Sequence, residues 1–407
     1  MKIMNKSKLN FFQGQTNLLE STNGDKEQIK EIQKRIIEFF NIKNIHFLFG
    51  SGTSCNAIPT MAGLFEAVRK KVDSLEEDIK SEFNSIIERI ENKENLEEIL
   101  GILYSNRIYL DKFDSHKDKL NICKELIKTI ETIIFNKLNV GIESEEEKEV
   151  LKTYQSFYSK LALRNKDLSR LNIFTTNNDL FNETALDSLN IHYINGFGGG
   201  INKFFNPALF NYSFSKRMDT SIEKFEPVEN MVYLYKIHGS INWIEDTSNT
   251  NTFFKIREIS FTEKSEKNIL IYPTPTKQSK SLASPYVELF REFQKKLLEP
   301  HSVLFIIGYS FSDEHVNNVI YQALATNSTI NVVIINDVKN SMISKIKDNR
   351  IFRIWEIVEE SGNVQNKKEP IHFFKRIVEE LLPNIDANKN QDQTLIDFIK
   401  SYNEKQL

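Results

Sequence analysis

Apolar residues along the chain fall into short continuous runs, separated by segments with helical spacing. The runs are rich in β-branched and aromatic residues and predict buried strands over 44–50, 171–176, 191–195, 232–238, 269–272, 303–308, 330–335 and 352–357. Helical patterns cover 25–40, 284–299, 313–326 and 339–348. Apolar strands that alternate with helices are typical of a parallel sheet covered on both faces. We therefore predict an α/β fold with a Rossmann-like, doubly wound parallel sheet.

The segment from about residue 60 to 165 differs from the rest of the chain in composition and in the spacing of its apolar residues. Glycine almost disappears, and three long stretches show helical spacing. A whole crossover between parallel strands needs only about a dozen residues, so this segment is far longer than a connection. We predict a large helical insertion after the first strand. The insertion could serve as an assembly surface or as a lid.

The ends of the chain set the expected domain limits. Residues 1–25 are polar and predict a loosely held N-terminal extension. Residues 26–385 form one domain in this interpretation, with the helical insertion at about 60–165 inside it. Residues 386–407 are expected to form a C-terminal helical tail.

Composition narrows the class of protein. The chain has 407 residues, a net charge of −3 and 40% hydrophobic residues, which is enough for a packed core and does not favour direct nucleic-acid binding. The N-terminus lacks an apolar signal segment, and no apolar run approaches the roughly 20 residues that span a bilayer. We expect a cytoplasmic protein without membrane contact. Cys55 and Cys123 cannot build a disulfide framework or a four-thiolate zinc site.

Polar residues follow five of the predicted strands. They are Gly50-Ser51-Gly52-Thr53-Ser54, Thr175-Thr176-Asn177-Asn178-Asp179, His238-Gly239-Ser240, Gly308-Tyr309-Ser310-Phe311-Ser312-Asp313 and Asn336-Asp337. Ligands of doubly wound folds bind outside the carboxyl ends of the strands. Five polar strand ends on one rim predict a polar ligand with several hydroxyl and phosphate groups.

The glycine-rich turn after the first strand has a physical role in this interpretation. Glycines without a Cβ let backbone N–H groups approach a pyrophosphate, and a helix N-terminus favours its charge. Cys55 stands where the dinucleotide fingerprint has a third glycine, and no P-loop lysine follows. A tight strand-to-helix turn with no ligand explains the same residues.

Each other strand end also has a purely structural explanation. Asn and Asp favour turns because their side chains bond to nearby backbone. His238 could be a rim histidine before a glycine turn, and residues 308–313 could be a turn with Ser312 or Asp313 capping the next helix. Trp243 is expected to pack in the core.

Taken in order, these motifs resemble the sirtuin superfamily, specifically the sirtuin-like branch found in bacterial defence. The matching residues are Gly50-Ser51-Gly52-Thr53-Ser54 with Ile58-Pro59, Thr176-Asn177-Asn178-Asp179, His238-Gly239, Gly308-Tyr309-Ser310 and Ile335-Asn336. The resemblance covers roughly 40–60 and 170–340, and leaves out the helical insertion and both ends. Protein-deacylating sirtuins carry a zinc module with two Cys-x-x-Cys pairs, which two isolated cysteines cannot provide. The phosphate loop is one residue short of the sirtuin form, and Thr60-Met61 replaces Asp-Phe-Arg.

The resemblance implies an enzyme that cleaves NAD to nicotinamide and ADP-ribose, with NAD as substrate and no metal. By resemblance, Asn177 orients the nicotinamide ribose or the attacking water, Asp179 polarises or binds the same end, and His238 is the general base. The remaining implied NAD contacts are Gly50, Ser51, Gly52, Thr53 and Ser54 at the pyrophosphate, Thr176 in the same rim, and Gly308, Ser310 and Asn336 at the adenosine half. Asp337 is a further candidate for a ribose hydroxyl.

The resemblance also suggests a cellular role and partners. We expect NAD depletion in a phage-infected cell, a homo-oligomer, and a HerA-type ATPase ring as partner. Two other functions stay open at this point. One is an NAD-dependent deacylase or ADP-ribosyltransferase, and the other is a non-catalytic nucleotide-binding subunit of an assembly.

Overall fold

The computed structural model describes residues 7–22, 24–91, 93–112, 116–161, 168–218, 224–228, 230–246, 255–259, 268–270, 284–358 and 369–383. The strands are β1 (Ser7–Gln13), β2 (Thr16–Asn17), β3 (Asn44–Phe49), β4 (Leu171–Thr175), β5 (His192–Ile194), β6 (Phe197–Gly198), β7 (Lys203–Phe205), β8 (Ser215–Arg217), β9 (Phe225–Pro227), β10 (Met231–Lys236), β11 (Gly239–Glu245), β12 (Ile256–Glu258), β13 (Asn268–Leu270), β14 (Ser302–Ile307), β15 (Asn331–Ile335) and β16 (Ile351–Val358). The helices are α1 (Asp25–Phe40), α2 (Met61–Val72), α3 (Glu77–Ile87), α4 (Leu96–Leu110), α5 (Lys117–Leu138), α6 (Glu145–Leu161), α7 (Phe181–Ser188), α8 (Tyr286–Leu297), α9 (Glu314–Thr326) and α10 (Phe374–Arg376).

A nine-stranded sheet forms the centre, in the spatial order β2-β1-β16-β15-β14-β3-β4-β10-β5. From β16 to β5 all neighbouring strands are parallel. The chain moves outward from β3 through β4 and β10 on one side, and from β14 through β15 to β16 on the other. The topological switch point therefore lies between β3 and β14, where doubly wound folds bind ligands.

Helices cover both faces of this sheet, as the apolar strands predicted. Along β3, Phe47 and Phe49 pack in one core with residues of α1, α6 and α7, whereas Leu48 packs in a second core with residues of α8 and α9. This alternation follows the two-residue period of a strand. The predicted α/β, Rossmann-like, doubly wound fold is confirmed.

Five helices, α2 to α6, occupy the segment that was predicted to be a helical insertion. Helices α2 to α5 have an apolar core of their own, which includes Val68, Phe83 and Leu103. Helix α6 belongs instead to the main domain, because Tyr154 and Phe157 pack on the sheet. The helical segment is thus tied to the sheet at its C-terminal end.

The N-terminal segment departs from the prediction. Strand β1 pairs antiparallel with β16 along its whole length, from Ser7 opposite Val358 to Gln13 opposite Phe352. Phe11 and Leu19 are buried in the main core. The expectation of a loosely held start is therefore wrong for residues 7–22. The expected C-terminal tail at 386–407 lies outside the described residues.

Two other segments differ from their predicted form. Residues 339–348 were predicted to be helical but contain only a 3-10 turn, Met342–Lys345. The hydroxyl of Ser344 donates to Lys339 O and Ser341 O, and such local bonds compete with helix formation. The strand predicted at 269–272 is present as β13, but it pairs with β11 in a separate five-stranded sheet of order β13-β11-β12-β7-β6. Ile271 and Tyr272 lie outside the described residues.

At His238 the chain passes from the main sheet to this smaller sheet, because β10 ends at Lys236 and β11 starts at Gly239. Trp243 of β11 is buried against Phe197 and Phe205, so the expectation that it packs in the core is confirmed. Strands β8 and β9 form a separate two-stranded ribbon. Within the described ranges, no helix is both long and apolar enough to cross a membrane.

Candidate functional site

The polar strand ends meet at one rim. Strands β15, β14, β3, β4 and β10 are neighbours and run parallel, so their carboxyl ends lie side by side. The prediction that these five ends share one rim is confirmed. What each residue contributes there is decided by its contacts.

The glycines of the first turn face another turn of the protein itself. A Cβ on Gly50 would lie 2.5 Å from Gly308 O, and a Cβ on Gly52 would lie 2.7 Å from Gly308 Cα. Gly308 has a φ of 65°, and a Cβ there would lie 2.6 Å from Thr53 N. These three glycines therefore allow the turns after β3 and β14 to touch backbone to backbone at the switch point.

The backbone amides of this turn are used inside the protein. Gly50 N–H donates to Ile307 O at 3.0 Å and Gly52 N–H to Gly308 O at 2.9 Å. Thr53 N–H donates to Gly50 O at 3.0 Å and Ser54 N–H to Ser51 O at 3.1 Å. These four amides are not free to cradle a pyrophosphate as the sequence suggested. A short 3-10 turn follows the strand, and the next α-helix starts only at Met61.

Asn177 is held by a small network of hydroxyl groups. Its Nδ2 donates to Thr53 Oγ1 at 3.0 Å, and its backbone N–H donates to Thr175 Oγ1 at 3.0 Å. Thr53 Oγ1 also bonds to the hydroxyl of Tyr154 at 2.7 Å, and Ser54 Oγ bonds to the same hydroxyl at 3.1 Å. Thr53, Ser54 and Asn177 therefore form one buried unit with a tyrosine from α6.

Asp179 is buried and lies two residues before the start of α7. Its Oδ1 accepts the backbone N–H of Phe181 at 3.1 Å. Burial raises the pKa of the Asp179 carboxyl above its ordinary value, and the charge of Lys236 offsets part of that rise. Its loop is held by Lys236, which donates to Asp179 O and to Asn178 O and forms a buried ion pair with Glu183 at 3.0 Å.

His238 pairs with a carboxylate that the sequence did not assign to the site. His238 Nε2 lies 3.0 Å from Asp313 Oδ2. The other oxygen of Asp313 caps α9, accepting the backbone N–H of His315 at 2.9 Å and that of Val316 at 3.3 Å. The His238 carbonyl accepts Asn178 Nδ2 at 2.8 Å, and the ring is 16% exposed. Asp313 therefore orients the imidazole, Asn178 holds the His238 backbone, and part of the ring stays exposed.

These groups converge on one cavity of about 330 Å³. The predicted site residues that line it are Ser51, Ser54, Thr176, Asn177, Asp179, His238 and Ser310, and Asn178, Tyr309, Ser312 and Asp313 join them. The opposite wall is apolar and comes largely from the helical insertion, namely Met61, Leu64, Leu96, Leu100, Ile134 and Leu138. The volume is at the lower end of the range of about 300–1,000 Å³ that is common for ligand pockets.

Five predicted contacts do not line this cavity: Gly50, Gly52, Thr53, Gly308 and Asn336. Asn336 instead supports the rim, because its Nδ2 donates to Tyr309 O at 3.0 Å and its Oδ1 accepts the N–H of Asp337 at 2.9 Å. Asp337 also lies outside the lining. The residues expected at the nicotinamide end thus meet in the cavity, whereas most of those expected at the phosphates and adenosine act within the protein.

The chemistry of the cavity is acidic and amide-rich. Two carboxylates, one imidazole and two amides line it, and no lysine or arginine is among the described lining residues. No group of three or more His, Cys, Asp or Glu side chains in the described ranges could hold a metal ion. A site of this kind can stabilise a developing positive charge and can accept a proton through the imidazole.

Comparison with known proteins agrees with this class of fold. A family model described as a SIR2-like domain matches residues 171–357, which include β4, β10, β14 and β15 with the polar ends that follow them. The match supports a sirtuin-like family and, in general terms, an NAD-related activity. The glycine-rich turn after β3 and the helical segment lie before the matched residues. No curated protein matches the chain.

Proposed function

We propose that the protein is an NAD glycohydrolase that cleaves NAD to nicotinamide and ADP-ribose. The observation that carries the proposal is the cavity in which Asn177, Asp179 and His238 converge below an apolar wall. The SIR2-like match over residues 171–357 supports an NAD-related substrate for that cavity.

The proposed roles follow from the charge that the reaction develops. Breaking the bond between nicotinamide and ribose makes the ribose positively charged. The carboxylates of Asp179 and Asp313, when ionised, favour that charge, and the described lining residues include no lysine or arginine that would oppose it. Asn177, fixed through Thr53, orients the ribose or the attacking water. His238 accepts the proton of the water or of a ribose hydroxyl, a step that typically contributes about 10²–10⁴-fold.

Asp313 is a positioning residue in this mechanism. Its Oδ2 lies 3.0 Å from His238 Nε2 and fixes that nitrogen as the one that carries a proton. The other ring nitrogen, Nδ1, is then the atom that accepts a proton from the substrate side. The same carboxylate stabilises the imidazolium that results.

The experiment is chromatography of NAD incubated with purified protein, comparing wild type with Asn177→Ala and His238→Ala. His192→Ala is a matched control, because His192 is an exposed histidine on the edge strand β5 and does not line the cavity. We expect nicotinamide and ADP-ribose from wild type and His192→Ala only. Equal cleavage by the Asn177→Ala or His238→Ala protein would overturn the assignment of the site. Intact NAD with every protein would overturn hydrolysis by the chain on its own.

We further propose that cleavage depletes NAD in phage-infected cells and that the chain acts as a homo-oligomer with a HerA-type ATPase ring. This part is supported by the resemblance of the motifs to the defence branch of sirtuin-like proteins. Affinity purification from cells that encode both proteins should recover the ATPase. Phage-challenged cells that carry His238→Ala should lose protection, and unchanged survival would contradict the proposed role.

A further inference from the structure

A second cavity, of about 520 Å³, lies next to the first. Leu138 lines both cavities and packs with Leu180 and Ile241, which line the second cavity, in a small apolar cluster. None of the residues assigned to NAD lines this second cavity. Its mouth is open to solvent at Gly200 and Ile201, and Ile201 is fully exposed.

Two residues that line this cavity, Glu183 and Asn242, each carry a buried oxygen atom that has no partner in the described part of the chain. Glu183 is only 6% exposed, and while its Oε1 pairs with Lys236, its Oε2 makes no hydrogen bond. Asn242 Oδ1 is likewise buried without a donor. Buried polar atoms are as a rule hydrogen-bonded, so a pair of unmatched acceptors in one cavity indicates a ligand that donates.

The charge of the wall indicates which donors fit. Among the described residues that line the cavity are three carboxylates, Glu183, Asp187 and Glu258, and one cation, Lys203. Lys203 lies 3.5 Å from Glu258, which also accepts Asn195 Nδ2 at 2.8 Å, so this carboxylate is already satisfied. Burial raises the pKa of Glu183 and of Asp187, and a cation beside them would oppose that rise.

We propose that this second cavity binds a small organic cation through a primary ammonium or guanidinium group. The group donates to Glu183 Oε2 and Asn242 Oδ1, and the exposed carboxylate of Asp187 favours its entry. The proposal rests on the geometry of this cavity and stands whether or not the first cavity cleaves NAD.

An occupant of this site would act on the catalytic loop. Glu183 pairs with Lys236, and Lys236 donates to the carbonyls of Asn178 and Asp179. A cation that shares Glu183 therefore changes the charge balance of the lysine that holds this loop. We expect binding to alter the stability of the loop, which amide hydrogen exchange reports.

The first test compares two probes of equal length, butane-1,4-diamine and butane-1,4-diol, by ligand-observed NMR at neutral pH and low salt. The diamine carries two ammonium groups and the diol none, so the pair isolates charge. We expect the diamine to bind to wild type and the diol not to bind. No binding of the diamine, or equal binding of both probes, would overturn the proposal.

Substitutions of residues that line the cavity test whether the diamine binds there. Gly200 lines the cavity, and a Cβ added there would have no atom within 4 Å, so the backbone accepts a side chain at this position. Gly200→Trp is designed to obstruct the mouth with a bulky ring, and Gly200→Ala is the matched control. We expect the diamine signal to persist in Gly200→Ala and to disappear in Gly200→Trp. Asn242→Leu keeps the volume but removes an acceptor and should weaken binding about tenfold. Unchanged binding in both Gly200→Trp and Asn242→Leu would place the diamine elsewhere and overturn the site.

Hydrogen exchange tests the link to the loop separately. With wild type, the diamine should change the exchange rate of the Phe181 amide, which bonds to Asp179 Oδ1, and Gly200→Trp should abolish that change. Binding without any change in exchange at residues 178–181 would leave the site intact and overturn the coupling.

Discussion

The pair of His238 and Asp313 shows how much of the site depends on single atoms. One carboxylate serves two purposes, because Oδ1 caps α9 through the N–H groups of His315 and Val316 while Oδ2 lies 3.0 Å from His238 Nε2. The cap stabilises α9, and the contact with the imidazole serves catalysis in the mechanism that we propose. A substitution that separates the two oxygens can therefore separate the two functions.

Asp313→Asn is expected to lower kcat for NAD cleavage by about 10²–10⁴-fold while leaving the fold stable. Asparagine caps a helix as well as aspartate does, but its amide cannot stabilise an imidazolium. The measurements are kcat and KM together with the thermal unfolding midpoint.

The control for this prediction is Asp313→Ala, which loses the cap as well and should also lose about 1 kcal/mol of stability. A kcat for Asp313→Asn within a few-fold of wild type would contradict the role of Asp313 as positioning residue. If Asp313→Asn and Asp313→Ala lost equal stability, the helix cap would need the negative charge of Asp313, and the two functions would not be separable in this way.

The raised pKa of the Asp179 carboxyl predicts that the stability of the fold depends on pH. This pKa is raised in the folded protein, so the folded state holds this proton more tightly than the unfolded state. The stability that comes from protonation is complete below the unfolded pKa of about 3.9 and is lost as pH rises through the folded pKa. Asp179→Asn, which keeps the acceptor for Phe181 N–H, should thus unfold at a higher temperature than wild type near pH 7.5, and the gap should narrow toward pH 4. A gap that is the same at every pH would contradict this account.

At the residue scale, the sequence pattern locates groups that line the cavity but not the groups that hold them in place. Asn177, Asp179 and His238 stand at strand ends and could be found from strand patterns alone. Tyr154, Lys236 and the second role of Asp313 depend on contacts between distant segments, which no local pattern contains. The sequence indicates Gly50, Gly52 and Gly308 as NAD contacts, whereas in the structure these glycines allow the close contact between two turns of the protein.

At the scale of elements, α6 connects the helical segment to the site. Tyr154 is fully buried, and its hydroxyl contacts Thr53 and Ser54, which in turn hold Asn177. One turn further along the same helix, Tyr158 is equally buried and donates to Asn182 Oδ1 at 2.6 Å. Helix α6 therefore offers two comparable tyrosines, one tied to the site and one not.

Tyr154→Phe and Tyr158→Phe should lose similar stability, about 1–2 kcal/mol each, because each leaves a buried polar partner unmatched. Only Tyr154→Phe should also reduce kcat, by about 10- to 100-fold, since Asn177 loses part of its support. Denaturant unfolding and single-turnover cleavage of NAD measure the two effects. An equal loss of kcat in both variants would show that helix stability, rather than the position of Asn177, limits the reaction.

Elements with strong apolar patterns were predictable, and those without them were not. The central strands β3, β4, β10, β14 and β15 are buried on both faces, so their sequences are continuous apolar runs. Strand β1 lies near the edge of the sheet and mixes polar with apolar residues, so its sequence does not show the continuous apolar run that predicts a buried strand. Most strands of the smaller sheet have only two or three residues, too few for any period to appear.

At the scale of the whole molecule, the cavity has two walls of different origin. The polar wall is the rim of the parallel sheet, and the apolar wall comes from α2, α4 and α5 of the helical insertion. Because α2 to α5 have an apolar core of their own, this wall is not simply an extension of the main core. We infer that the insertion contributes to binding of the substrate while the sheet supplies the chemistry.

A substitution of Met61 tests whether the insertion contributes to substrate binding and not to the chemical step. Met61 is the first residue of α2, lines the cavity and is 40% exposed, so Met61→Ala should affect stability little. Loss of its apolar contact should raise the Kd for NAD about 3- to 10-fold, as measured by calorimetry on the His238→Ala background, and leave kcat in the otherwise wild-type protein within about twofold.

The matched control is Ile108→Ala, which removes an exposed apolar side chain from α4 away from the cavity and should leave the Kd unchanged. If Met61→Ala lowers kcat without changing the Kd, the helical insertion must take part in the chemical step. If it changes neither while Ile108→Ala does, the substrate meets a different face of the insertion. Only a change in Kd confined to Met61→Ala agrees with an insertion that binds and a sheet that reacts.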